Sequence, residues 1–317
     1  MKPVLVTGAT GFLGSHLFPL LEGARVLSRG EVPGPDCVRG DITDPAAVDR
    51  AVAGVREIYH LAGLVSRDPR DAAQMHRVHV EGTRLLCEAA LRHGVERVVV
   101  SSSSGTIAVS ERPQVRDESS GYSDAVSGRW SYYASKIEQE KLALDYFATR
   151  QLPVIVVNPS LLLGPGDERG SSTGDVSAFL TGQVMSLPVG GLNFVDARDC
   201  AQGLVQAMRR GKPGERYLLG AVNWTFAEFF KTLGAISGLP SPRLKSPTWL
   251  SLATAPLLRR VMPRIGRRFE VDDVSIEMSG CFWYCDSSKA RRDLGFETRD
   301  PLETLRDTIE DLRKLRI

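Results

Sequence analysis

Residues Val4 to Ser15 read VLVTGATGFLGS. Val4-Leu5-Val6-Thr7 is a short apolar, β-branched run that reads as a buried strand, and Phe12 to Leu21 carries helix-periodic apolar residues. Gly8, Gly11 and Gly14 stand between and within them at three-residue spacing. In a strand-turn-helix of this kind the first glycine permits the tight turn and the second lets backbone N–H groups approach a pyrophosphate. The third lets helix and strand pack closely, so that phosphates rest at the positive helix N-terminus. The turn therefore reads as a dinucleotide cradle with Gly8, Thr10, Gly11, Phe12, Leu13 and Gly14 as its contacts. Its spacing is G-x-x-G-x-x-G and not G-x-G-x-x-G, and three glycines alone fit a purely structural turn equally well.

The rest of the chain sets the context. Its 317 residues can bury a large core and suggest two lobes. Forty basic and 38 acidic residues give a net charge of +2, and no long basic block marks a nucleic-acid partner. Met1-Lys2-Pro3 leads directly into the first strand, which leaves no room for an export signal. The five cysteines are odd in number and scattered, as expected of reduced thiols in a cytoplasm. Cys281 and Cys285 lack a second pair and read as core or strand residues, so no metal site is expected.

Further along, Ala24 to Arg29 reads as a second strand. An acid at its end would bind an adenosine ribose hydroxyl, whereas arginine suits a 2′-phosphate. Ser28 and Arg29 stand there without a carboxylate. NADP(H) is thus favoured, NAD(H) remaining open if Arg29 is an ordinary surface charge. Val38 to Asp44 reads as a third strand and turn, with Asp44-Pro45 opening a helix over Ala46 to Ala53. Glu57 to Gly63 is a fourth strand ending on small residues, a helix covers Ala72 to His93, and Arg97 to Val100 is a fifth strand. Strands alternating with helices at this rhythm imply an α/β, doubly wound parallel sheet, which binds ligands off the carboxyl ends of its strands.

The fifth strand delivers Ser101 to Ser104 to that edge, a run that taken alone reads as a polar turn. Downstream, Tyr132 and Lys136 stand four apart on one face of a helix. A phenol titrates near about pH 10, and a nearby cation can lower it by about one to three units. A serine hydroxyl beside it can bind a reacting carbonyl oxygen while the phenol exchanges a proton.

Together, TGATGFLG, the Gly40-Asp41-Ile42-Thr43-Asp44 turn, His60-Leu61-Ala62-Gly63, the serine run and Tyr132-x-x-x-Lys136 resemble the extended short-chain dehydrogenase/reductase family. The likeness spans nearly the whole chain, continuing through Asn158-Pro159-Ser160, Gly164 to Asp167, Phe194 to Asp199 and Asp286 to Phe296. It is greatest to the branch of dihydroflavonol reductases, 3β-hydroxysteroid dehydrogenases and the hopanoid-associated group. The resemblance implies a Rossmann-type fold with Tyr132 as the catalytic tyrosine and Lys136 as the lysine that also holds the nicotinamide ribose. It implies Ser103 as the catalytic serine, with Ser102 or Ser104 one register step away. It also places Asp41 and Ile42 at the adenine, Leu61, Ala62 and Gly63 against the cofactor, and Pro159 and Ser160 beside the nicotinamide. His79 departs from the family's asparagine in V-N-V-x-G-T and reads as a buried polar support.

Residues 1–160 are the expected dinucleotide domain, with parts of 194–220 returning to it, and 161–317 mainly the substrate lobe. Residues 246–268 alternate apolar groups and prolines and end in Arg259, Arg260, Arg264, Arg267 and Arg268. The run is too short to span a bilayer. It reads as a cap over the pocket with a solvated basic face, or alternatively as a lid touching anionic lipid. The activity expected is NADP(H)-dependent hydride transfer between nicotinamide and a ketone or secondary alcohol on a fairly apolar small-molecule substrate. The alternatives are a nucleotide-sugar 4-epimerase or dehydratase with tightly bound NAD, and a cofactor-binding regulator without turnover. The resemblance also implies a homodimer through the helices that start near Ala72 and Tyr132.

Overall fold

The computed structural model describes residues 3–30, 36–265, 269 and 271–315. Met1, Lys2, Arg267 and Arg268 thus lie outside the described residues. The first half runs β1 (Val4–Thr7), α1 (Phe12–Leu17), β2 (Arg25–Ser28), β3 (Cys37–Arg39), α2 (Pro45–Val52), β4 (Glu57–His60) and α3 (Ala72–His76). It continues with α4 (Gly82–Arg92), β5 (Arg97–Ser101), α5 (Asp124–Ser127), α6 (Ser131–Arg150) and β6 (Val154–Pro159). The second half holds β7 (Leu161–Leu163), α7 (Gly174–Leu180), β8 (Gly191–Asp196), α8 (Ala197–Arg210), β9 (Arg216–Leu219), β10 (Val222–Thr225) and α9 (Phe226–Ser237). Last come α10 (Thr248–Val261), α11 (Asp273–Ser279), α12 (Ser288–Leu294) and α13 (Pro301–Lys314).

Seven parallel strands in the order β3-β2-β1-β4-β5-β6-β9 form the main sheet, the doubly wound α/β arrangement of a Rossmann-type fold. Strand alternation sends Val6, Tyr59 and Val99 to one face, against Leu13, Leu17, Leu204 and Leu294 of α1, α8 and α12. Leu5, Ile58, Val98 and Val100 face the other way, onto Val48, Leu86 and Ala143 of α2, α4 and α6. A second, three-stranded sheet, β10-β8-β7, is covered by Phe229, Phe230, Leu305 and Ile309 of α9 and α13. The chain passes between the two sheets repeatedly: β9 lies in the main sheet, whereas β8 and β10 lie in the small one.

Two helices depart from their sequence pattern. The first ends at Leu17 and tightens into a 3₁₀ turn over Phe18–Leu20, because Pro19 has no N–H to continue the ladder. The expected helix over residues 72–93 is interrupted at Arg77–Glu81 by a π-turn, which carries His79 into the interior.

Gly8 and Gly14 decide how closely the first turn approaches the sheet. Gly8 has φ of +78°, and a Cβ there would stand 2.6 Å from the carbonyl carbon of Leu61. A Cβ on Gly14 would overlap the Gly8 carbonyl oxygen and lie 2.8 Å from Ala9 Cα, both backbone atoms that cannot swing aside. Gly14→Ala is therefore expected to cost about 1–3 kcal/mol and to lower Tm by several degrees in thermal unfolding. An unchanged Tm would refute this account of the turn.

Candidate active site

A chamber of about 1370 Å³ opens along the carboxyl ends of the main-sheet strands. Typical ligand pockets hold about 300–1,000 Å³, so this one has room for a dinucleotide and a second molecule. The glycine turn forms one wall, through Gly8, Thr10, Gly11, Phe12, Leu13 and Gly14, and exposed Arg29 borders it at the end of β2. Leu61 and Gly63 follow from the end of β4. Ser103, Tyr132 and Lys136 also line the chamber, as do Pro159 at the end of β6 and Ser160 after it.

Four of the expected cofactor contacts stand off this wall. The Ser28 hydroxyl accepts the Gly30 N–H, and the Asp41 carboxylate accepts the N–H and hydroxyl of Thr43 to fix the turn after β3. Ile42 is buried, its side chain crowding Gly82, and Ala62 donates its N–H to Thr7 Oγ1.

The serine run divides by hydrogen bonding. Ser102 is buried and donates to Glu140 Oε2 at 2.7 Å. That carboxylate, fully buried, also accepts from Thr106 Oγ1 at 3.0 Å and Asn158 Nδ2 at 2.8 Å, and Arg216 pairs with its other oxygen at 3.2 Å. Ser103 Oγ is partly exposed and accepts the Gly105 N–H at 3.2 Å, while its proton has no acceptor among the described residues. Ser102 is thus committed to the interior, whereas the Ser103 hydroxyl can donate into the chamber, which Ser104 also lines.

Lys136 is buried, and its ammonium donates to the Ser101 carbonyl and to Gln139 Oε1, each at 2.9 Å. Burial pulls its pKa down to about 8, against the opposing pull of Glu140. Gln139 Nε2 donates to Thr83 Oγ1 at 2.8 Å. Thr83 spends its own proton on the His79 carbonyl, so its oxygen must also accept from His60 Nε2, 2.9 Å away. His60 Nδ1 then accepts the Thr7 hydroxyl proton at 2.8 Å, and Thr7 Oγ1 accepts the Ala62 N–H. Burial holds His60 neutral, its pKa lowered to about 3. Two runs of hydrogen bonds, one from Thr7 on β1 and one from the α6 ammonium, thus converge on Thr83 Oγ1.

His79 completes the packing around the tyrosine. Its Nε2 accepts the Leu64 N–H at 3.0 Å, which puts the ring proton on Nδ1, 2.8 Å from Ser135 Oγ. Ser135 in turn donates to the Tyr132 carbonyl, and the imidazole meets the Tyr132 ring edge-on at 5.8 Å between centroids. Burial first, then the Lys136 charge, lowers its pKa to about 2, so at neutral pH it is an uncharged support whose single ring proton stays on Nδ1. The Tyr132 phenol is pushed up from its ordinary value by burial, with Tyr133 acting in the same direction. The expected lowering by Lys136 does not prevail: the protein interior, not the ammonium, dominates the phenol.

Sequence reasoning missed Gln139 and Glu140, although both stand one turn from Lys136 on α6, where polar residues on a buried face signal partners. It also missed the aromatic lining of the chamber beside Tyr132. There Trp130 stacks on Trp283 at 5.7 Å, and Tyr133 tilts against Trp283 at 5.1 Å. Phe226, Phe230 and Leu258 extend the apolar wall.

The residues present fit a nicotinamide dinucleotide. A Cβ at Gly8 or Gly14 would meet backbone and displace the turn that borders the chamber, and the Ser160 hydroxyl is buried on the chamber wall without a hydrogen-bond partner among the described residues. Among those residues no cluster of His, Cys, Asp and Glu could hold a metal ion.

Comparisons agree with this geometry. A putative dihydroflavonol 4-reductase of Synechocystis sp. (strain ATCC 27184 / PCC 6803 / Kazusa) is 33% identical, over 96% of this chain and 92% of that protein. Sterol demethylase protein B of Methylococcus capsulatus (strain ATCC 33009 / NCIMB 11132 / Bath) is 34% identical over 92% of each. The crystal structure of gox2253 superposes with a TM-score of 0.84 at 29% identity, covering 99% of this chain and 98% of that one. Residues 4–220 match the NAD dependent epimerase/dehydratase family. The chain therefore belongs to that family, and is a nicotinamide-dependent oxidoreductase of the extended short-chain dehydrogenase/reductase type.

Proposed function

We propose that the chain is an NADP(H)-dependent reductase acting on a ketone carried by a fairly apolar small molecule. In this reading, residues 1–160 with β9 hold the dinucleotide and the later residues mainly form the substrate lobe. The observation that carries it is a single chamber lined both by Ser103, Tyr132 and Lys136 and by the apolar rings of Trp130, Trp283, Phe226, Phe230 and Tyr133, the last lying edge-on to Tyr132 at 5.0 Å. Arg29 at the end of β2, with no acid beside it in the strand, supports the phosphorylated cofactor.

When bound, the nicotinamide exchanges a hydride with the carbonyl carbon. Tyr132 gives its proton to the carbonyl oxygen and Ser103 donates a hydrogen bond to it, stabilising the charge that develops. Burial keeps the phenol protonated, which is the form that reduction needs. Lys136 holds the cofactor ribose and supplies the nearby positive charge, while Gln139 fixes its Nζ. Arg198, a candidate clamp for a sugar diphosphate, is already paired with Asp196 at 2.8 Å and Asp307 at 2.6 Å. Arg243 stands away from the chamber. Arg169 does border it, and keeps the nucleotide-sugar epimerase or dehydratase as the second reading.

Titration of the dialysed protein with NADPH and NADH tests the first point: exchangeable binding with NADPH preferred is expected. NAD that survives dialysis, with no NADPH preference, would favour the second reading. With a ketone substrate, Tyr132→Phe should bind NADPH normally and lose about 10²–10⁴-fold in kcat. Ser103→Ala should lose about 10²–10³-fold, whereas Ser102→Ala should mainly lower stability. Equal losses for the two serines would reverse their assignment.

The pH profile follows from Lys136. Its ammonium is present below about pH 8 and lost above it, so kcat/KM for reduction should fall as pH rises through that value, and the fall should vanish in Lys136→Met. The unfolded chain keeps this proton up to the ordinary value near 10.5. Stability should therefore rise, not fall, between about pH 8 and 10.5 as far as Lys136 contributes, because deprotonation relieves its burial.

A further inference from the structure

Between Glu228 and Glu270 the chain runs 41 residues without an Asp or Glu and carries eight Lys and Arg, although the whole chain has a net charge of only +2. The same region holds much of the exposed apolar surface: Leu244 is 76%, Trp249 70% and Leu257 63% exposed, and Leu250 is also exposed. Exposed Met185 and Val189 join them, because Leu187 donates its N–H to the Leu244 carbonyl at 2.7 Å and accepts from Ser246 at 3.0 Å. Residues 185–189 thus lie beside the segment that leads into α10.

Helix α10 has two faces. Ser251, Thr254 and Leu258 line the chamber, and Ala255 is fully buried. On the opposite stripe Trp249, Ala253, Leu257, Arg260 and Arg264 follow at three- or four-residue intervals, all exposed. Arg259 instead anchors the helix to α11, pairing with Asp273 at 2.6 Å and donating to the Val271 carbonyl. A stable roof over the chamber therefore carries tryptophan and leucine outward, with arginines at one end and Arg243 and Lys245 around Leu244.

We propose that this face docks on an anionic phospholipid surface, seating the α10 side of the chamber against the bilayer. Tryptophan and leucine on one helix face with cationic neighbours match the acyl boundary and its phosphates. Among the described residues no helix is long and apolar enough to cross a membrane, so the contact lies at the interface. A second copy of the chain is the poorer occupant. A twofold contact would bring the same acid-free, cationic face against itself. Docking does not depend on the reductase reading, and its measurement needs no turnover.

The test is co-sedimentation of the full-length protein with phosphatidylcholine vesicles, with and without phosphatidylglycerol. Pelleting is expected only with phosphatidylglycerol, reversed by added salt, with a blue shift in tryptophan emission that Trp249→Phe removes. Trp249→Ser/Leu257→Ser and Arg260→Glu/Arg264→Glu should each weaken binding more than about tenfold, while circular dichroism and NADPH binding stay unchanged. Three results would overturn the proposal: indifference to phosphatidylglycerol, variants that pellet like the parent protein, or a dimer in sedimentation velocity that Trp249→Ser/Leu257→Ser disperses without any lipid binding.

Discussion

A lysine ammonium buried in a protein interior has to be satisfied, and much of the region around this site follows from that requirement. Lys136 reaches the Ser101 carbonyl at the end of β5 and Gln139 on its own helix. Gln139 passes the constraint to Thr83, Thr83 to His60, and His60 to Thr7. Each member has one remaining way to place its protons, so the chain holds β1, β4, α4 and α6 in mutual register at their functional ends. Removing any one partner would leave a buried donor or acceptor unpaired, which costs about 1–3 kcal/mol.

The same economy separates two neighbouring serines. Glu140 is ionisable, fully buried and one residue from Gln139, and it gathers Ser102, Thr106, Asn158 and Arg216 around itself. A carboxylate in that position is tolerable only with such a set of donors. Ser102 is therefore committed to the interior, and Ser103, one pleat further, turns to the chamber. A buried charge thus separates Ser102 from Ser103 within a run of four identical residues.

What was legible in the sequence was whatever a local pattern encodes. Val4 to Gly14 announced strand, tight turn and helix because glycine spacing is itself a backbone constraint, and Tyr132 and Lys136 shared a face because α-helical spacing requires it. Ser160 was placed by its neighbours Asn158 and Pro159. Asp41 and Ile42 were read as ligand contacts from resemblance, and in the structure their side chains also serve the turn and the core. His79 was read as a buried support. The π-turn that turns it inward was not legible, since it depends on how residues 77–81 pack against α6. Nor was the influence on Tyr132, whose surroundings come from segments far apart in the chain.

The two sheets are joined by very short connections. Only Ser160 separates β6 from β7, and its N–H is bonded to the Leu219 carbonyl at 2.9 Å. Gly220 and Ala221 alone separate β9 from β10, and β8 passes directly into α8. With so few free torsions at these three crossings, the two sheets are tied closely together where the chain passes between them. Ligands must therefore fit a space whose floor is set by these ties and whose roof, α10 and α11, belongs to neither sheet.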